Sequence, residues 1–196
     1  MNPDPYVYPG TTVLKNIPGI RRQELLNRFE ADRVGQRSLE LLEHPFAGRF
    51  DMAHLQEIHQ YLFQDVYEWA GQFRTVDMAK GDSYFARVPY IEPTLDGLFG
   101  KLSARKHLRG LNQEAFASRA AEILGTLNAV HAFREGNGRA QREFVRKLAH
   151  DNGYWIDWSK VSREEMYRAS ARSFMQADNT LFDELLKKAI EPISLG

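Results

Sequence analysis

The chain of 196 residues contains no cysteine. That absence excludes disulfides, thiolate zinc sites, iron–sulfur clusters and thiol nucleophiles. It also suits a reducing cytosol, so a cytoplasmic protein is expected. Net charge is lacking too, because 26 Lys and Arg balance 26 Asp and Glu. This weighs against a strongly basic nucleic-acid binder or a polybasic membrane binder, although a local basic patch passes the test. Neither nucleic acid nor membrane is expected as a direct partner. No apolar run approaches the roughly 18 residues of a membrane helix, and Met1-Asn2-Pro3-Asp4-Pro5 lacks the charged and apolar regions of a signal peptide. What remains, 43% hydrophobic and 27% charged residues, is ordinary for one soluble domain with a real core.

The chain reads as mostly helical, an all-α fold. Pro3 to Gly19 holds four prolines and two glycines and reads as an extended arm lying on the domain, so residues 1–20 are expected to be an arm and 21–196 the domain proper. Arg21 to Glu43 carries Leu25, Leu26, Phe29, Val34, Leu39 and Leu42 at mostly helical spacing, with His44-Pro45 as a stop. Asp51 is a candidate N-cap for a second helix through Leu55, Ile58 and Leu62. The pattern then approaches alternation from Gln72 to Met78. A turn at Ala79-Lys80-Gly81-Asp82 and a return over Ser83 to Val88 would make a short β-hairpin. Helical signals resume after Pro93 and run to about Leu108. Asn112 caps a helix with Phe116, Ala120, Ile123, Leu127 and Val130 on its apolar face, and that helix delivers His131. Another follows Gly138, with Phe144, Val145 and Leu148 facing inward. Ser162 and Glu165 have capping-box spacing, and a last helix is expected over Thr180 to Ile190.

The chemistry is concentrated in His131-Ala132-Phe133-Arg134-Glu135-Gly136-Asn137-Gly138-Arg139-Ala140-Gln141-Arg142. A glycine-rich helix start offers consecutive backbone N–H groups to an anion. Arg139 and Arg142, three apart, share a face and add guanidinium donors for phosphate oxygens. A lone carboxylate, Glu135, beside phosphates is a usual magnesium ligand. A histidine at the same spot removes a proton near neutral pH. Each feature taken singly is more often structural than functional; the joint pattern reads as a nucleotide-phosphate site with a metal and a base.

The same twelve residues resemble the signature of the Fic family, His-x-Phe-x-Asp/Glu-Gly-Asn-Gly-Arg-x-x-Arg. Every specified position is present, and Ala132 stands where the family usually has proline, which leaves the loop less rigid. Tyr8-Pro9-Gly10-Thr11, the segment Phe63 to Gly71 and the hairpin around Lys80-Gly81-Asp82 also resemble family segments. The resemblance implies the Fic fold, a helical bundle with a hairpin flap at about 78–88 beside the loop. It implies transfer of AMP from ATP to a Ser, Thr or Tyr hydroxyl of a target protein. His131 would deprotonate the hydroxyl, and Glu135 would hold Mg²⁺ on the α- and β-phosphates. Gly136, Asn137 and Gly138 would line the anion hole with backbone and amide donors, Arg139 would hold the phosphates, and Arg142 would reach toward the γ-phosphate. Phe133 would anchor the loop. Lys80, Gly81, Asp82, Ser83 and Phe85 of the flap would dock the target by strand-like pairing. Gly138 favours AMP transfer over the kinase chemistry of Doc-like relatives, which carry lysine there, and leaves UMP transfer open.

The family's inhibitory segment, Ser/Thr-x-x-x-Glu-Gly/Asn, has no match. Ser118 to Glu122 is followed by Ile123, and Thr180 to Glu184 by Leu185. The resemblance therefore implies a toxin whose inhibitory glutamate comes from a small separate antitoxin and meets Arg142. ATPase subunits of bacterial type II topoisomerases are the family-level expectation for a target. Other readings are a host-directed effector domain and a docking module without turnover; the intact His131 and Glu135 weigh against the latter. His54, Glu57 and His59 lack zinc-helix spacing. Arg139, Arg142, Arg146 and Lys147 are too local for nucleic acid, and Trp155 and Trp158 are expected at the core or its rim.

Overall fold

The computed structural model describes residues 4–81 and 83–193. Seven helices form its body: α1 (Gln23–Glu43), α2 (Met52–Phe63), α3 (Ile91–Ala104), α4 (Gln113–Val130), α5 (Asn137–His150), α6 (Arg163–Gln176) and α7 (Thr180–Ala189). Two antiparallel pairs of very short strands complete it. These are β1 (Ala79–Lys80) with β2 (Ser83–Tyr84), and β3 (Tyr154–Ile156) with β4 (Ile190–Pro192).

The core is built on α4 and α5, and their sequences explain why. On α4, Phe116, Ala117, Ala120, Ala121, Leu124 and Leu127 are all buried, and the alanines let neighbouring helices approach closely. At Gly125 the approach of Asn179, ahead of α7, is so close that a Cβ would lie 2.1 Å from its side-chain oxygen. On α5, Phe144, Val145 and Leu148 are fully buried, each worth about 1.5–3 kcal/mol. Three local start signals form as read. Asp51 accepts from the His54 N–H, Asn112 from the Ala115 N–H, and Ser162 with Glu165 closes a capping box.

Other expectations are corrected. On α1 only Leu26, Val34 and Leu41 are buried, while Leu25, Leu39 and Leu42 are exposed, because this helix meets the body along one narrow line. The helix after Pro93 breaks at Ala104, before the left-handed residues Lys106, His107 and Leu108. The last helix ends at Ala189 because Ile190 to Pro192 pairs with Tyr154 to Ile156.

The hairpin is the main correction. Gln72 to Met78 is not a strand, and β1 begins at Ala79, where a turn was expected. The backbone of that segment is committed to α4's end instead. The Arg74 N–H donates to the Ala132 carbonyl at 2.9 Å. The Arg74 side chain, 1% exposed, donates to the carbonyls of His131 (2.8 Å), Val76 (2.7 Å), Ala86 and Val130. Arg74 thus caps the negative end of α4 and ties both roots of the hairpin to it. It also fixes the two residues, His131 and Ala132, where proline's rigidity was missing. Replacing Arg74 with methionine strands four carbonyls; a loss of about 3 kcal/mol is expected, read by urea denaturation.

The N-terminal residues pack where the loop needs support. Tyr6, Val13 and Leu14 are buried, the Tyr6 hydroxyl accepts from the Thr75 N–H at 3.1 Å, and Asp4 pairs with Arg134 at 2.7 Å.

Candidate active site

His131 caps α4 in the left-handed conformation (φ 49°), which turns the chain sharply into the motif loop. Its ring lies under the flap. Phe85 stacks on it at 4.0 Å with planes 16° apart, and Phe174 of α6 stacks on the far face of the assembly, 4.3 Å from Phe85. Nδ1 of His131 is buried without a hydrogen-bond partner. Burial, with the cations Arg74 and Lys80 adding to it, pushes His131 down to about 4, so its ring is neutral at pH 7. His131, Glu135, Gly138, Lys80 and Tyr167 line one cavity of about 560 Å³.

The loop is stitched from within. Asn137 accepts from the Phe133 N–H at 2.8 Å and donates to the Phe133 carbonyl at 2.7 Å. Its amide oxygen and one of its two amide N–H groups are thus used within the loop. Phe133 is the core anchor, 1% exposed. Gly136 has φ 79°, and a Cβ there would lie 2.2 Å from Cζ of Phe63, so only glycine fits. Glu135 is half exposed; its Oε1 accepts from the Gly136 N–H at 2.8 Å and from Arg139 at 3.3 Å. The N–H groups of Asn137 and Gly138, at the start of α5, donate to nothing among the described residues.

The two arginines differ. Arg139 lies over the Phe63 ring and pairs with Glu30 of α1 at 2.7 Å, and Glu30 in turn accepts from the Tyr67 hydroxyl. Arg142 makes no hydrogen bond or ion pair among the described residues. Burial and, after it, the charge of Arg139 hold its pKa below the usual arginine value. Both arginines face a cleft between α1 and the Trp155–Ser159 segment, with Leu42 and Trp155 on its walls. Gly138 joins the two sides, since it lines the His131 cavity and the Arg142 guanidinium lies 3.4 Å from where its Cβ would be. Unpaired N–H groups and a guanidinium at one helix start suit an anion, with a neutral imidazole across Gly138 to take a proton.

On the flap, Lys80 and Gly81 are exposed and Ser83 is half-buried, with the Lys80 ammonium 4.1 Å over the Tyr167 ring. Phe85, expected to meet a target, is buried over His131. Asp82 lies outside the described residues. Sequence reasoning missed Arg74, Glu30, Tyr67 and His59, which support the loop from other elements. His59 is fully buried on α2, with its Nε2 2.9 Å from the Glu135 carbonyl. Burial holds its pKa down at about 4.

Residues 49–149 match the Fic/DOC family model. The chain is 44% identical over 193 residues to protein adenylyltransferase VbhT of Bartonella schoenbuchensis, covering 98% of this chain and 40% of that protein's length. It is 33% identical to the probable protein adenylyltransferase Fic of Escherichia coli, covering 95% of this chain and 92% of that one. Among solved structures, BepC from Bartonella tribocorum with bound AMPPNP superposes with a TM-score of 0.88 at 30% identity, covering 95% of this chain and 96% of that one. The fold, the twelve-residue loop and these relatives agree, and the chain belongs to the Fic/DOC family.

Proposed function

We propose that the protein is an adenylyltransferase that moves AMP from ATP to a hydroxyl of a target protein. The observation that carries this reading is the convergence of unpaired donors on the loop. Among the described residues, the Asn137 and Gly138 N–H groups are free at the start of α5, and Gly138 lines the cavity of the uncharged His131 imidazole. The free Arg142 guanidinium reaches to Gly138 from the neighbouring cleft. A triphosphate satisfies those donors. The target oxygen attacks the α-phosphorus, an O–P bond forms, the bond to the β-phosphate oxygen breaks, and pyrophosphate leaves. The hydroxyl proton passes to His131. Positioning and charge stabilisation supply the catalysis.

Glu135 fits Mg²⁺. It is a hard oxygen donor, half exposed, and among the described residues there is no group of three or more His, Asp or Glu that would make a closed metal cage. When bound, the ion neutralises phosphate charge. The carboxylate would then leave the Gly136 N–H to join the anion-binding set.

The bare guanidinium of Arg142, opening on a cleft with apolar walls, supports regulation by a separate small protein that inserts a glutamate there. Ser118 and Glu122, and Thr180 and Glu184, are built into α4 and α7. Bacterial topoisomerase ATPase subunits are the targets to try first.

The test is incubation with α-³²P-ATP, Mg²⁺ and bacterial lysate. Label on a discrete protein band, lost with Glu135→Ala, supports AMP transfer. Label from γ-³²P-ATP instead would mean kinase chemistry, and label from α-³²P-UTP would mean another nucleotide.

A further inference from the structure

One face of α2 serves as the template for the whole loop. His59 and Phe63, four residues apart, lie one above the other. The Phe133 ring lies 3.8 Å from the His59 ring, with planes 15° apart, and the Phe63 ring is 4.6 Å away on the same stack. Phe63 in turn underlies Gly136 and the Arg139 guanidinium.

Both ring nitrogens of His59 are engaged. Nδ1 accepts from the Gly71 N–H at 2.9 Å, so the ring proton sits on Nε2. Nε2 then donates to the Glu135 carbonyl at 2.9 Å. The Glu135–Gly136 peptide is thereby held at both ends, its carbonyl by His59 and its N–H by the Glu135 carboxylate. The second hold lapses whenever that carboxylate turns to another ligand, and the first does not.

We propose that His59 is a positioning residue for the transfer reaction. Acting through the Glu135 carbonyl, it fixes the Glu135–Gly136 peptide plane. The carboxylate is then free to take a cation, and the Gly136 N–H a phosphate oxygen, without the loop losing its shape. This rests on the AMP-transfer reading above. The rival role is a plain staple between α2 and Gly71, and the two roles use different ring nitrogens.

Two substitutions separate them. Gln carries its amide nitrogen near the place of Nε2, so His59→Gln keeps the donor to Glu135 and gives up Gly71. Asn carries its amide oxygen near the place of Nδ1, so His59→Asn keeps Gly71 and gives up Glu135. The measurements are kcat, the Mg²⁺ concentration for half-maximal turnover, calorimetric binding of Mg²⁺ with ATP, and the melting temperature.

His59→Asn is expected to lose about 10- to 100-fold in kcat and to need more Mg²⁺, with its KM for ATP little changed; His59→Gln stays within a few-fold of wild type. Equal losses in the two variants, or losses that track the melting temperature alone, overturn the proposal. A wild-type chain without transfer activity defeats the AMP-transfer reading, and the calorimetric ranking of the variants still decides the role of His59. Should both variants fail to fold, ¹⁵N NMR of the wild-type imidazole decides: a coupling across the hydrogen bond from Nε2 to the Glu135 carbonyl carbon supports the role, and its absence, or a proton on Nδ1, overturns it.

Discussion

His131→Ala is expected to lower AMP transfer by about 10²–10⁴-fold while leaving ATP affinity within about threefold of wild type. The asymmetry follows from geometry. The groups proposed to meet phosphates are the helix start of α5 and the two arginines, and none of them hydrogen-bonds to the His131 side chain. The His131 backbone is held independently, its carbonyl by Arg74 and its N–H by Leu127. Removing the imidazole would therefore delete the proposed proton acceptor and leave the loop standing. Calorimetry with ATP and Mg²⁺ beside a turnover assay separates the two effects. A parallel loss of binding and turnover would mean that His131 shapes the site and does not act as the base.

The pH profile carries the same argument further. A base works when deprotonated. The folded-state value of about 4 lies below the ordinary 6.5, so the acid limb of kcat/KM is expected near pH 4, with a plateau through pH 6–8. Burial is the main cause, and the Phe85 ring covers one face of the imidazole. Phe85→Ala admits water, raises the His131 pKa toward 6.5 and moves the limb to higher pH.

The parts of this site that were legible in the sequence are those whose chemistry is contiguous. His131 to Arg142 reads as a helix end, an anion turn and a helix start because one short segment contains all three, and the caps at Asp51, Asn112 and Ser162 are equally local. The parts that stayed hidden act across the chain through backbone carbonyls, which leave no trace in residue identity. Arg74 falls at a polar position of the expected strand, yet its guanidinium makes four hydrogen bonds, to the carbonyls of Val76, Ala86, Val130 and His131. His59 looked like one member of a loose histidine pair, yet it is the loop's support. The two contacts of Asn137 with Phe133, which brace the loop from within, were likewise not legible from the residue's identity. The strands of two and three residues are too short for alternation to register.

The support that α2 gives the loop makes Gly136→Ala a strongly damaging small change. Two costs coincide. At φ 79° an alanine pays about 1–2 kcal/mol for the left-handed conformation. Its Cβ would also lie 2.2 Å from Cζ of Phe63, a distance that forces something to move. Phe63 is fully buried and stacked on His59, so the ring has nowhere to go, and the loop must lift instead. Lifting Gly136 displaces the Glu135 carbonyl from His59, the Arg139 guanidinium from the Phe63 face and the first N–H groups of α5 from their common direction. A displacement near 1 Å is enough for a loss of about 10²-fold in turnover, with weaker ATP binding and a lower melting temperature alongside. Phe63→Leu in the Gly136→Ala background removes the ring atom in conflict and is expected to recover part of the binding. The steric cost then appears as coupling in a double-mutant cycle, and additive losses would mean that backbone strain alone accounts for the glycine.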